Sequence, residues 1–177
     1  MNDLISVLKD VGYPFLFLWS VLEGELGLML AGWLSTEKVF IIKNVVLIGI
    51  SGAMIGDLTV FLVGRIFKDK ANQFLEKKHK KELINRWIDK YGIFVIVFER
   101  FIYGTHIPVL LTLGISKINF FKWFMFDIIG VVLWATTFSL IGFYFGNDVI
   151  DFVMFIQKQI LVVIGIIFVI IYLRYRK

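Results

Sequence analysis

Gly12-YPFLFLWSVLEGELGLMLA-Gly32 and, about 80 positions later, Gly92-IFVIVFERFIYGTHIPVLLTL-Gly114 are the stretches that decide the fold. Each is roughly 20 residues long, enough to cross a bilayer as one helix. Yet each carries glycine and ionisable groups at its midpoint, where a spanning helix should be most apolar, and each contains a proline. A broken apolar segment, used twice, with charges at the break, is the sequence mark of a membrane transport site.

Composition points the same way. Hydrophobic residues make up 59% of the chain, aromatics 17%, and mean hydropathy is +0.84, as in an integral membrane protein. Residues 1–177 read as a single membrane domain with no room for a separate catalytic module. There is no cysteine, which excludes disulfides and thiolate metal sites. The net charge of +5 flanks apolar spans, as in cytoplasmic membrane loops, and so does not point to nucleic acid. The start MNDLISVLKD has no basic segment running directly into an apolar one, so an uncleaved start is expected. No hydrolase order, HExxH, P-loop or clustered metal ligands occur, and the sequence predicts neither an enzyme nor a cofactor.

Three further stretches, about 44–66, 122–145 and 159–173, read as ordinary crossings. Between the first and the second broken stretch, residues 68–90 hold eight Lys/Arg against four acids. Leu83, Ile84, Trp87, Ile88 and Tyr91 recur there at helical spacing, which predicts an amphipathic helix on the membrane surface. Charge then selects the topology. If all five stretches crossed, the basic linker and the basic C-terminus, Arg174 to Lys177, would fall on opposite sides. If the two broken stretches are re-entrant, both are cytoplasmic, with 36–43 and 147–157 outside. The re-entrant reading is preferred, and it opens the two hairpins to opposite sides.

The chain also repeats itself. Gly52, Gly56 and Gly64 are echoed at identical spacing by Gly130, Trp134 and Gly142. Hairpin plus crossing is one unit used twice and inverted, about 12–66 and about 92–146, joined by the linker and followed by the helix at about 159–173. The expected fold is all-α: two opposed re-entrant hairpins, about three full crossings and one surface helix. The glycines also suit close helix packing. Trp33, Trp123, Tyr172 and Tyr175 fall near expected interfaces, where aromatic belts are usual.

Ionisable groups at membrane depth cost several kcal/mol unless paired or hydrated. Glu23-Gly24-Glu25-Leu26-Gly27 marks the first tip. Two carboxylates this close cannot both ionise cheaply, which suits proton acceptance; a tip at headgroup level would leave both hydrated. Asp57, after Gly56, has no surface position available and calls for an arginine partner. Arg65 is expected to reach the inner interface. In the second stretch Glu99-Arg100 precedes the break Tyr103-Gly104-Thr105-His106-Ile107-Pro108. Arginine binds phosphate with a planar fork, and the N–H groups opening the next half-helix can add to an anion site. His106 would bind phosphate as a cation or relay a proton, or serve structure alone. Glu99 can neutralise a neighbouring base, and Asp127 is placed near the inner interface.

The ordered set of Gly24-Glu25, Gly32, Gly52-Ala-Met-Ile-Gly56-Asp57, Phe61, Gly64-Arg65, Tyr91-Gly92, Arg100-Phe-Ile, Gly114, Gly130, Trp134 and Gly142-Phe-Tyr-Phe-Gly146 resembles the DedA family, whose unit is also called the VTT or SNARE-associated domain. The resemblance runs from about Gly12 to Gly146. It implies a bacterial inner-membrane protein with opposed re-entrant loops, similar to members that return undecaprenyl phosphate across the membrane; eukaryotic relatives look like lipid scramblases. Family acids match Glu25 and Asp57, and the first of two family arginines matches Arg100. The second arginine position holds His106, and Glu23 stands where a proline is usual.

The sequence reading is therefore a lipid-phosphate flippase. Arg100 and His106 would bind the phosphate of a polyprenyl phosphate or phospholipid. Glu25, Asp57 and Glu23 would carry a coupling proton or cation. Gly24, Gly27, Gly104, Pro108 and Gly56 would shape the breaks and the packing. The tail would lie in membrane lipid through a lateral opening, and a homo-oligomer is compatible with the sequence. An ion antiporter without a lipid substrate and a non-transporting scaffold are the rivals.

Overall fold

Helix breakers and apolar periodicity divide the described residues into eight α-helices and two short 3₁₀ turns. The computed structural model describes the backbone of residues 2–22, 24–77, 81–102 and 104–175, and the side chains of 11–22, 24–76, 82–102, 104–146 and 148. The helices are α1 (Asn2–Leu22), α2 (Glu25–Thr36), α3 (Ile42–Ile66), α4 (Lys68–Lys77), α5 (Lys81–Tyr91), α6 (Val95–Phe98), α7 (His106–Ile115) and α8 (Phe120–Tyr175). The 3₁₀ turns, Gly92–Phe94 and Glu99–Phe101, bracket α6. No strand occurs among the described residues. Two apolar helices are long enough to cross a bilayer, α3 and the 120–146 part of α8.

Small residues decide which helices meet. On α3 the inward face is Val45, Gly49, Gly52, Ala53, Gly56, Asp57, Phe61 and Gly64, while Leu47, Ile55, Leu62 and Ile66 point outward. This is a membrane pattern, with small and polar groups inside and large apolar ones facing lipid. The packing is reciprocal: α1 lies on α3 and α6 on α8, whereas α2 crosses to α8 and α7 crosses to α3. A Cβ on Gly32 of α2 would lie 2.2 Å from the Ser139 carbonyl, and one on Gly142 of α8 would lie 1.9 Å from that of Met29. On the other side, a Cβ on Gly114 of α7 would lie 2.3 Å from the Phe61 carbonyl, and one on Gly64 of α3 would lie 2.6 Å from that of Leu111. Only glycine lets these backbones come so close.

Two apolar cores result. One gathers Phe61, Leu75, Ile84, Ile96, Leu110 and Trp123, with Trp123 stacked on Phe61 at 3.9 Å between centroids. The other gathers Leu28, Val45, Ala53, Val131 and Trp134. Along α3, Asp57 falls between Ala53 of the second core and Phe61 of the first. Along α8, Asp127 likewise falls between Val131 and Trp123.

Several expectations change. The linker is two helices, α4 and α5, and its apolar stripe turns onto α7 as well as outward. Ala71, Leu75 and Ile84 are buried, with Trp87 and Ile88 packed on the same core, while Leu83 and Tyr91 stay exposed. Full burial of Leu75 or Ile84 stabilises by about 1.5–3 kcal/mol, which favours docking on protein over lying free. On the exposed side of α5, Arg86 donates to Glu82 one turn earlier at 2.6 Å, and this holds the Glu82 carboxyl below its usual range. Trp123 belongs to the core and not to an interfacial belt. Arg65 is held by backbone. Its guanidinium donates to the carbonyls of Gly114, Ser116 and Ile118 at 2.9–3.2 Å, and so caps the C-terminal end of α7 where carbonyls lack helical partners. Finally, no loop separates 122–145 from 159–173: the backbone breaks only at Phe145 (φ −116°, ψ 21°) and is helical again through Tyr175.

Candidate functional site

Asp57 sits on the small-residue face of α3 and is 1% exposed. Its neighbour Gly56 admits the α1 backbone, since a Cβ there would lie 2.3 Å from the Val21 carbonyl. The opposite wall is the interrupted segment. After the single turn of α6 the chain tightens into the 3₁₀ turn Glu99–Phe101, which buries Glu99 and Arg100. Ile102 is extended, and Gly104 takes φ 74°, a left-handed conformation that favours glycine. The Thr105 hydroxyl donates to the carbonyls of Glu99 (2.9 Å) and Ile102 (2.7 Å), which holds the loop closed. Helix α7 then begins at His106, with Pro108 buried in its first turn.

This path brings four ionisable side chains into one chain of contacts. Arg100 Nη2 donates to Asp57 Oδ2. His106 Nε2 lies 3.1 Å from Asp57 Oδ1, and His106 Nδ1 lies 2.7 Å from Glu99 Oε1. The Arg100 guanidinium also covers the Trp134 ring at 4.9 Å. Asp127 of α8, 1% exposed, is buried close enough to Asp57, Arg100 and Glu99 to feel their charges.

Proton counting constrains what this cluster holds. A neutral imidazole has one N–H, yet both His106 nitrogens face carboxyl oxygens; either the ring is an imidazolium or one carboxyl is protonated. Three carboxyls face two bases, so full ionisation leaves one negative charge in excess. Glu99 Oε2, Arg100 Nε and Asp127 Oδ2 are buried with no hydrogen-bond partner among the described residues. Burying such groups is costly, and unsatisfied atoms of this kind call for an exchangeable occupant: water, proton or ligand.

Of the residues singled out in the sequence, Asp57, Arg100 and His106 come together, and Asp57 has the arginine partner its position called for. Gly104 and Pro108 form the break. Gly24 is the residue before α2 and Glu25 opens its first turn, half-buried, with no ion pair to the cluster among the described contacts. Gly27 packs beside the Trp19 ring, 3.2 Å from a would-be Cβ. Glu23 lies outside the described residues. Asp127 is corrected from the interface to the interior, and the neighbouring base that Glu99 faces is His106. Spacing carried the signal for both: Asp127, Val131 and Trp134 share one face of α8 at i, i+4 and i+7, and Glu99 sits one helical turn before the break.

Comparison with known proteins settles the family. The VTT domain family matches residues 22–144. The chain belongs to that family. It is 30% identical to Inner membrane protein YohD of Escherichia coli, over 84% of this chain and 77% of that protein. It is 23% identical to Undecaprenyl phosphate transporter A of Bacillus subtilis, over 84% and 79%. Protein DedA of Escherichia coli is also 23% identical, over 84% and 68%. No solved structure matches the chain significantly. With relatives named as membrane proteins and two apolar spans, this VTT domain chain is a DedA-family membrane protein.

Proposed function

We propose that this chain flips a lipid phosphate across the inner membrane, with undecaprenyl phosphate as the substrate, and couples the step to protons. The observation that carries the reading is that one carboxylate, Asp57, contacts both Arg100 and His106. These bases are the groups suited to phosphate, and the carboxylate occupies the place a phosphate would take. Protonating Asp57 releases them; a phosphate then replaces the carboxylate, and proton return expels it. Glu99 holds His106 from the other side, and Asp127 would pass a proton to Asp57. Glu25, with Glu23 beside it, would serve the opposite hairpin. The tail stays in the bilayer. Relatives bearing the name Undecaprenyl phosphate transporter A support the substrate, and the reciprocal packing of α2 on α8 and α7 on α3 supports two opposed hairpins in an inverted repeat.

The surplus carboxyl favours one other reading, cation exchange without a lipid substrate. Vesicles separate the two. Purified protein is reconstituted with undecaprenyl phosphate, and its appearance in the outer leaflet is followed with and without a proton gradient. Wild type is expected to flip the lipid, faster with the gradient. Asp57→Asn should still insert, because Glu99 and Asp127 then balance Arg100 and His106. It should bind lipid phosphate but lose the response to the gradient, and Glu25→Gln should lose transport. Wild-type flipping no faster than in protein-free vesicles, with proton–cation exchange present, would replace the lipid reading by the second.

A further inference from the structure

Between α5 and α6 lies a cavity of about 430 Å³ whose walls include Trp87, Tyr91, Phe94, Phe98 and Ile102, with Glu99 the one carboxylate among its described lining residues. We propose that this cavity binds an amphipathic organic ammonium, its cation against Glu99 and the rings and its apolar substituents along Phe98 and Ile102. The volume falls within the usual range of small-molecule sites. Four aromatic rings beside one carboxylate are the chemistry of alkylammonium recognition, since the rings present negative faces and the carboxylate supplies the counter-charge. Two internal cases show the same affinity: the Lys90 ammonium lies 5.0 Å from the Tyr91 ring centre, and the Arg100 guanidinium covers Trp134.

The partners of Glu99 agree. Glu99 is 1% exposed; Oε1 is used by His106, and Oε2 has no partner among the described residues, which leaves one carboxyl oxygen for an ammonium. An anion would meet Glu99 head on. A hydrated metal ion would find one carboxylate and aromatic walls in place of the several oxygens it needs. The site shares Glu99 with the cluster but takes the opposite charge from the proposed lipid phosphate, so it is a second site.

The test uses the full chain in a neutral detergent, titrated calorimetrically with three ligands of equal chain length: hexyltrimethylammonium, hexyl sulfate and hexanol. Only the ammonium should bind saturably. Glu99→Gln should weaken it at least about tenfold. Phe94 and Phe98 are 58% and 59% exposed, so Phe94→Leu and Phe98→Leu keep the apolar walls at small cost to folding, and each should weaken it severalfold. Equal binding of all three ligands would mean an ordinary lipid-filled groove and would overturn the proposal. So would unchanged affinity in Glu99→Gln or, if that variant does not fold, in both phenylalanine variants.

Discussion

Asp57, Arg100 and His106 are held by contacts that make sharply different demands on substitution. Arg100 gives one nitrogen to Asp57 and stacks on Trp134, so both its fork and its plane are used. Lysine keeps the charge but neither the fork nor the stacking plane. Arg100→Lys is therefore expected to lower lipid-phosphate affinity by at least about tenfold, roughly 1.4 kcal/mol, in equilibrium binding. His106→Arg should be tolerated, because a guanidinium can span the same two carboxylates that the imidazole touches at 2.7 and 3.1 Å. It should also flatten the pH dependence of binding across the mildly acidic to mildly alkaline range, since arginine does not titrate there. Unchanged affinity in Arg100→Lys, together with a misfolded His106→Arg, would remove both from the phosphate site. Asp57 and Arg100 were legible in the sequence because buried charge in an apolar run has few explanations. Asp127 was placed too near the surface: its spacing with Val131 and Trp134 gave its face, but a position along a helix does not say how deep that helix sits.

At the scale of the element, the glycines control distance. A methyl on Gly142 would press on the Met29 carbonyl at 1.9 Å, and one on Gly64 on that of Leu111 at 2.6 Å; backbone cannot yield as a side chain can. Gly142→Ala and Gly64→Ala should each cost about 1–3 kcal/mol by over-packing, lowering the melting temperature of detergent-solubilised protein by several degrees. Gly27→Ala is the control. Its Cβ meets only the partly exposed Trp19 ring at 3.2 Å, which can swing aside, so stability should stay near that of the parent. A Gly142→Ala variant as stable as Gly27→Ala would show that α2 and α8 do not meet as described. Spacing alone exposed the repeated glycines. It did not reveal that α2 crosses to α8 and α7 to α3, since sequence spacing names the small face and not its partner. The same limit explains α5, which was read as lying on the membrane surface and packs on α7.

For the whole molecule, the decisive quantity is the placement of charge relative to the bilayer. The basic linker now stands as α4 and α5 docked on α7, and α8 is one helical run broken at Phe145, so connectivity alone no longer says where the C-terminus lies. Positive charge still does. Residues 68–90 and the C-terminal Arg174, Arg176 and Lys177 are the strongly basic segments, and the positive-inside bias puts both in the cytoplasm if the two interrupted segments turn back. The chain has no cysteine, so single cysteines can be introduced without background. Positions 79 and 176 should then react with a membrane-impermeant maleimide only in inside-out vesicles, and position 38, next to the turn after α2, only in intact cells. Labelling of 79 and 176 from opposite sides would mean that the second interrupted segment crosses fully. The two hairpin mouths would then lose their opposed orientation, and the carboxylate–phosphate exchange at Arg100 would have access from one side alone.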